Sequence, residues 1–355
     1  MKNQIQSFQG LRAIAILLIL FSHLATYIPS LQTMGLGVNG VSIFIMLSGF
    51  CSYYAYENKW LTLPSFSDTT AYLKKKLKKF YPLHLFTFLL VIPIEFVTIN
   101  AIMTGVSLSE RLCVLAQRGA ANLLLIQSFI PYQDIYFSFN QTSWYLSDTL
   151  FFCLCTPIVL FLIQKLTVKK LWAGFGILFM LQIFISTFFA PTAYAHAFLY
   201  ISPLYRVLEY VQGCLLARLF LQAPKLLQSK RSCTIAEVVS SGLFLGFILL
   251  YPQLPAGFSY SVIYIPFTAF LLWSFAFDGG TLSKLLSTAP FRFIGNISFE
   301  IFLVHLVVFR YMNLFRPSLA FLSDGVFAAI SAILALIASW MVHYLLLLLH
   351  RHHNP

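Results

Sequence analysis

The sequence predicts an all-α polytopic membrane protein, a bundle of about ten transmembrane helices with both termini in the cytosol. Three observations carry this expectation. Of the 355 residues, 59% are hydrophobic and only 10% are charged, where a soluble domain has about 25% charged residues. Apolar blocks of spanning length recur throughout, and helices are the open structures that satisfy their own backbone in hydrocarbon. Basic residues, finally, gather in alternate loops.

The spans read as 11–29, 38–56, 82–104, 143–164, 171–190, 204–221, 237–252, 260–277, 293–312 and 325–349. The stretch ANLLLIQSFIP at 121–131 is too short to cross alone and reads as a re-entrant or interfacial piece. With the N-terminus inside, the cytosolic side receives Lys2, Lys59, the cluster Lys74, Lys75, Lys76, Lys78 and Lys79, then Lys165, Lys169 and Lys170. Lys225, Lys230, Arg231, Lys284, Arg292 and Arg351 follow on the same side, whereas the outer loops hold Arg111, Arg118 and Arg316. Sixteen basic residues against three is a positive-inside pattern. Counting 121–131 as a full span would put the lysines at 165–170 and most later ones outside, so ten spans fit best. The longest loops are 57–81 and 105–142, and residues 1–355 read as a single transmembrane domain with no appended soluble domain.

The first span carries a basic residue ahead of an apolar core, as a signal peptide does. Arg12 and His23 interrupt that core, and no small-residue cleavage site follows, so it reads as retained. The net charge of +12 is accounted for by loop lysines and their attraction to anionic headgroups, so no nucleic-acid partner is expected. Cys51, Cys153, Cys155 and Cys214 lie in apolar runs as small buried thiols, and no spacing among the six cysteines suggests a metal site.

Four stretches carry the chemistry. In GLRAIAILLILFSHL (10–24), Arg12 and His23 are eleven residues apart, which is about 20° beyond three helical turns and about 16.5 Å of rise. They share one face, with Arg12 near the cytosolic surface and His23 near mid-membrane. Each has a bland reading, a snorkelling arginine and a histidine bonded to a neighbouring helix. Together they favour a polar cavity that starts in the cytosol, in which neutral imidazole is a natural general base. SIFIMLSGF (42–50) places Ser48-Gly49 where helices can approach closely. YLKKKLKKFYPLHL (72–85) is a basic amphipathic piece suited to anionic lipid, or to a phosphate-rich ligand held by a lysine pair. In SPLYRVLEYVQG (202–213), Arg206 and Glu209 lie three apart and can pair.

These stretches, in this order, resemble the integral-membrane acyltransferase-3 family. Its opening Arg-x10-His is matched by Arg12 and His23, its Leu-Ser-Gly-Phe by Leu47 to Phe50, and its basic Arg-x-x-Arg motif by Lys76, Lys79 and Pro82. QTSWYLSDTLFF (141–152) is similar to its Trp-x-Leu-Ser segment through Trp144, Leu146 and Ser147. Arg206, Glu209 and Gly213 match a further segment, and Ser298 with His305 the closing one. Three departures stand out. Lysines replace both arginines of the basic motif, which keeps charge but loses bidentate phosphate recognition. Thr149 stands where a glutamate is common, with Asp148 one position earlier, and Ile45 replaces a phenylalanine.

The resemblance implies a multi-pass protein of the bacterial plasma membrane. It would move an acetyl or other small acyl group from cytosolic acyl-CoA, a donor substrate rather than a permanently bound cofactor, to a hydroxyl of a cell-surface or polyprenyl-linked carbohydrate. Lys76, Lys79 and Arg12 would hold the acetyl-CoA phosphates, and His23 would be the general base. Trp144 and Ser147 are candidates for steadying the oxyanion, while Asp148, Arg206, Glu209 and His305 are candidates for the acceptor site. A covalent acyl-enzyme relay stays open, as does a partnership with polysaccharide-synthesis machinery. The rival is a transporter or flippase of a lipid-linked sugar, which needs neither the basic patch nor the Arg-x10-His pair. A glycan polymerase would usually carry a larger outer loop.

Overall fold

The computed structural model describes residues 4–222 and 226–353. Lys2, Lys225 and the side chains of the HRHHN tail, Arg351 included, lie outside the described residues. Fourteen α-helices and no strand occur among the described residues. They are α1 (Ser7–His23), α2 (Leu36–Tyr56), α3 (Phe66–Ile102), α4 (Leu108–Leu123), α5 (Gln133–Tyr136), α6 (Trp144–Gln164) and α7 (Val168–Phe189). After them come α8 (Pro203–Gln222), α9 (Lys230–Leu249), α10 (Ile265–Ala276), α11 (Thr281–Leu286), α12 (Ala289–Asn296), α13 (Ser298–Phe315) and α14 (Asp324–His353). The chain is therefore an all-α polytopic membrane protein.

Eight helical segments are long and apolar enough to cross a bilayer: those containing α1, α2, α3, α6, α7, α9, α13 and α14. The expected spans 204–221 and 260–277 form α8 and α10, which fall short for different reasons. Arg206, Glu209 and Arg218 make α8 too polar by composition, and α10 with its preceding turn runs only from Val262 to Ala276. The expected span 293–312 is two helices, broken at Ile297 between α12 and α13.

Loop 57–81 is also shorter than expected. Ser65 and Asp68 form a reciprocal capping box, and α3 then runs unbroken through the lysines for 37 residues. At 1.5 Å per residue that is about 55 Å, well beyond a hydrocarbon core of about 30 Å. The lysine-bearing turns therefore project from the apolar half of the same helix. The outer loop 105–142 folds into α4, α5 and short 3-10 turns, and 121–131 turns back at Leu125, whose φ is 55°. Buried Asn122 staples this turn, donating to Ser138 Oγ at 2.7 Å and accepting from Ser143 Oγ at 2.9 Å.

Burial sorts the helices into a centre and a rim. The α2 window is 67% buried and that of α14 only 11%, which puts α2 inside and α14 against lipid. α2 and α8 run parallel and cross at glycines. A Cβ on Gly49 would lie 2.0 Å from Tyr210 O, and one on Gly213 would lie 2.1 Å from Met46 O. The Ser48-Gly49 expectation of close approach is met here.

The start of α1 is pinned by a carboxylate from another helix end. Asp278 accepts from the backbone N–H groups of Gln6 and Ser7, at 3.0 and 3.1 Å. Buried Glu237 does the same for α11, accepting from Gly280, Leu282 and Ser283 N–H. Both carboxylates satisfy helix donors that would otherwise be orphaned.

Candidate active site

The C-terminal turn of α1 presents His23 to α13. His305, fully buried, lies with its Nε2 2.9 Å from His23 Nδ1, and its own Nδ1 is 2.7 Å from the carbonyl oxygen of Ile301. A carbonyl only accepts, so His305 Nδ1–H donates to Ile301 O. For two neutral rings the rest follows: His305 Nε2 accepts, His23 Nδ1–H donates to it, and His23 Nε2 is left with a lone pair. The half-buried His23 is thus the ring that can meet a substrate, held by a ring that cannot. Each histidine is visible in the sequence as a site candidate, but their pairing is not, since 282 residues separate them.

Arg12 lies at the other end of α1. It lines a cavity of about 770 Å³ between the start of α1 and the end of α2, together with Gln9, Cys51, Tyr56, Glu57 and Lys59. Its Nη1 reaches Gln9 Oε1 at 3.5 Å and its Nη2 reaches Cys51 Sγ at 3.7 Å. Lys76 is not among the lining residues but packs on the ring of Tyr56, which is. Its Nζ lies 5.3 Å from the Tyr56 ring centre and 5.2 Å from that of Tyr72, and Lys59 Nζ sits over the same two rings. Lys79 is exposed on α3. His23 is not among the lining residues, so the cavity ends below it.

Arg206 and Glu209 do pair, both fully buried, with 3.1 Å between Nη2 and Oε2. Ser261 Oγ approaches the same Glu209 oxygen at 3.5 Å, and Arg206 Nη1 donates to Tyr260 O at 3.4 Å. Asp148 and Ser147 are buried beside them with no hydrogen-bond partner on either carboxylate oxygen or the hydroxyl. Arg206 therefore stands among two acids, within electrostatic reach of Asp148. Phe302 touches both regions, its ring 6.5 Å from that of His305, 5.2 Å from that of Tyr145 and 6.5 Å from that of Phe44. Trp144 begins α6, with its backbone oxygen accepting from Ser128 Oγ at 2.7 Å and its ring 5.2 Å from that of Tyr200.

Sequence reasoning did not single out the residues around Tyr200. His196–Ile201 is a π-helix, a form that recurs at functional sites, and it places His196 beside Tyr136, whose OH is 3.0 Å from Nδ1. Burial pushes His196 down to about 4, so its ring is neutral at ordinary pH. Three further ionisable residues find structural partners. His84 Nε2 lies 3.1 Å from Asn122 O, Glu95 pairs with Arg310 at 3.1 Å, and Glu300 meets His343 at 2.7 Å. No group of three or more histidine, cysteine or acidic side chains could hold a metal among the described residues.

Comparison with known proteins agrees with this reading of the chain. Residues 5–344 match a family model described as an acyltransferase domain. Acyltransferase MdmB of Streptomyces mycarofaciens is 28% identical over 330 residues, covering 87% of this chain and 80% of that protein. No solved structure matches. A helical membrane bundle matched over nearly its whole length by this model belongs to the acyltransferase-3 family, and the protein is a membrane acyltransferase.

Proposed function

We propose that the protein transfers an acetyl or other small acyl group from cytosolic acyl-CoA to a hydroxyl of a carbohydrate, at the plasma membrane of a bacterium. The observation that carries this is the His305–His23 hydrogen bond, which leaves a lone pair on His23 Nε2. The acyl-CoA phosphates would sit at the lysine-bearing end, against Lys76, Lys59 and Arg12, with Lys79 at the exposed margin. Positive-inside charge supports that end as cytosolic. The acyl-pantetheine arm would pass Arg12 and rise beside α1 to His23.

The reaction balances without any bound cofactor. His23 Nε2 takes the proton of the acceptor hydroxyl as its oxygen attacks the thioester carbonyl carbon. The tetrahedral intermediate collapses, the C–S bond breaks, and the CoA thiolate recovers the proton from His23. Ser147 and Trp144 are the donors available near the start of α6 for the oxyanion. A surface glycan or polyprenyl-linked sugar fits as acceptor, and a polysaccharide-synthesis complex fits as its source.

Free CoA release by protein reconstituted in lipid nanodiscs with acetyl-CoA tests the reading. Release should require a sugar acceptor and vanish in His23→Ala. A protein that released none with any sugar acceptor, yet moved lipid-linked sugar across vesicles, would be a flippase instead.

A further inference from the structure

At the end of the bundle opposite the lysines, a second cavity of about 230 Å³ opens beside the last turn of α1. Its wall includes Ser22, His196, Tyr200, Tyr251 and Tyr260. Ser22 precedes His23 in the chain, so the cavity adjoins the candidate base without enclosing it. Three of these rings pack on one another as an aromatic wall. The His196 ring centre lies 5.2 Å from that of Tyr200 and 5.3 Å from that of Tyr260, and the two tyrosines are 6.2 Å apart. Behind the wall, Tyr200 packs on Trp144 at 5.2 Å and faces the Arg206 guanidinium at 5.8 Å.

Size and chemistry both limit the guest. Pockets for drug-sized ligands measure about 300–1,000 Å³, so this one takes a single ring rather than an acyl chain or several sugars. An apolar ring would fill the space but offer nothing to the half-buried phenol and imidazole groups that line it. A hydroxylated saturated ring meets both demands: its C–H face packs on aromatic faces, and its hydroxyls bond the tyrosine hydroxyls and the imidazole. Ionised guests are disfavoured, since no charged side chain is among the lining residues.

We infer that this cavity is the acceptor subsite, holding one pyranose ring against the wall formed by His196, Tyr200 and Tyr260 so that a ring hydroxyl turns towards His23. The inference rests on the proposed carbohydrate acceptor and assigns it a place and a size. The enzyme then modifies a sugar that can present itself as a lone or end ring, and internal residues of a polymer are excluded.

Saturation-transfer NMR without any acyl donor tests the subsite. The protein is held in nanodiscs, because maltoside detergents are themselves sugars. The probes are the methyl glycosides of glucose, galactose and mannose, with cyclohexylmethanol as a ring of similar size lacking the ring hydroxyls. At least one glycoside should receive saturation on its ring protons, reduced at least fivefold in the double variant Tyr200→Ala, Tyr260→Ala and unaltered in Cys113→Ser. Tyr260→Phe and His196→Gln, which keep the packing, should each weaken it at least twofold. No transfer to any glycoside, equal transfer to cyclohexylmethanol, or full transfer in all three rim variants would overturn the subsite. CoA release is read separately: release from acetyl-CoA with no glycoside contact sinks the subsite alone, and glycoside contact without release sinks the acyl-transfer chemistry alone.

Discussion

His23 and His305 differ in what they lose when changed. His23→Ala removes the base and should lower kcat by about 10²–10⁴-fold, the usual worth of a general base, with the protein still folded. His305 acts through its neighbour, so His305→Ala should lower kcat and shift the pH profile of kcat while leaving the acyl-CoA KM unchanged. Steady-state kinetics at several pH values separates the two, and a His305→Ala enzyme with an unaltered profile would return that ring to helix packing. His196 gives a stability prediction with a definite sign. Its folded value near 4 lies below the ordinary 6.5, so the folded state resists its protonation. That contribution is whole above pH 6.5 and fades as pH falls towards 4. The groups facing the ring are Tyr136, Tyr200 and Tyr260, none charged in that window. Melting curves of His196→Gln should therefore lose less between pH 6.5 and 4.5 than those of the wild type.

At the scale of elements, the crossing of α2 and α8 leaves no room for a side chain. Gly213→Ala would set a methyl against the Met46 carbonyl and force the helices apart, costing about 1–3 kcal/mol as other overpacked cores do. A thermal shift in nanodiscs reads this, and an unchanged midpoint would mean that the crossing can slide. The buried pair on α8 responds in the opposite way to single and double changes. Arg206→Met leaves Glu209 and Asp148 without a counter-charge and should cost about 3–5 kcal/mol, whereas adding Glu209→Met should recover part of it. Much of this was legible beforehand: the helix positions from apolar length, the Gly49 contact from its small neighbours, and the Arg206–Glu209 pair from its spacing of three. The helical course of the lysines was not, because hydropathy marks lysine as polar and says nothing of its good helix propensity. Nor was the aromatic wall, whose residues come from two separate connecting segments with no periodicity to link them.

Across the whole molecule, the two cavities open at opposite ends and imply a fixed orientation. Cys113 on α4 is exposed at the end opposite the lysines. A membrane-impermeant maleimide added to intact cells should label it, while a Lys75→Cys variant in a Cys113→Ser background should be labelled only after permeabilisation. The reverse pattern would invert the topology and the direction of transfer. Within the bundle, the α2–α8 crossing leaves no space beside Gly49 and Gly213, and Phe302 packs against Phe44 and Tyr145. Packing this close opposes a column of water through the core. Under the proposed reaction a group would be handed from one face of the membrane to the other without such a column, so a cell could hold this enzyme at high copy number without short-circuiting its proton gradient.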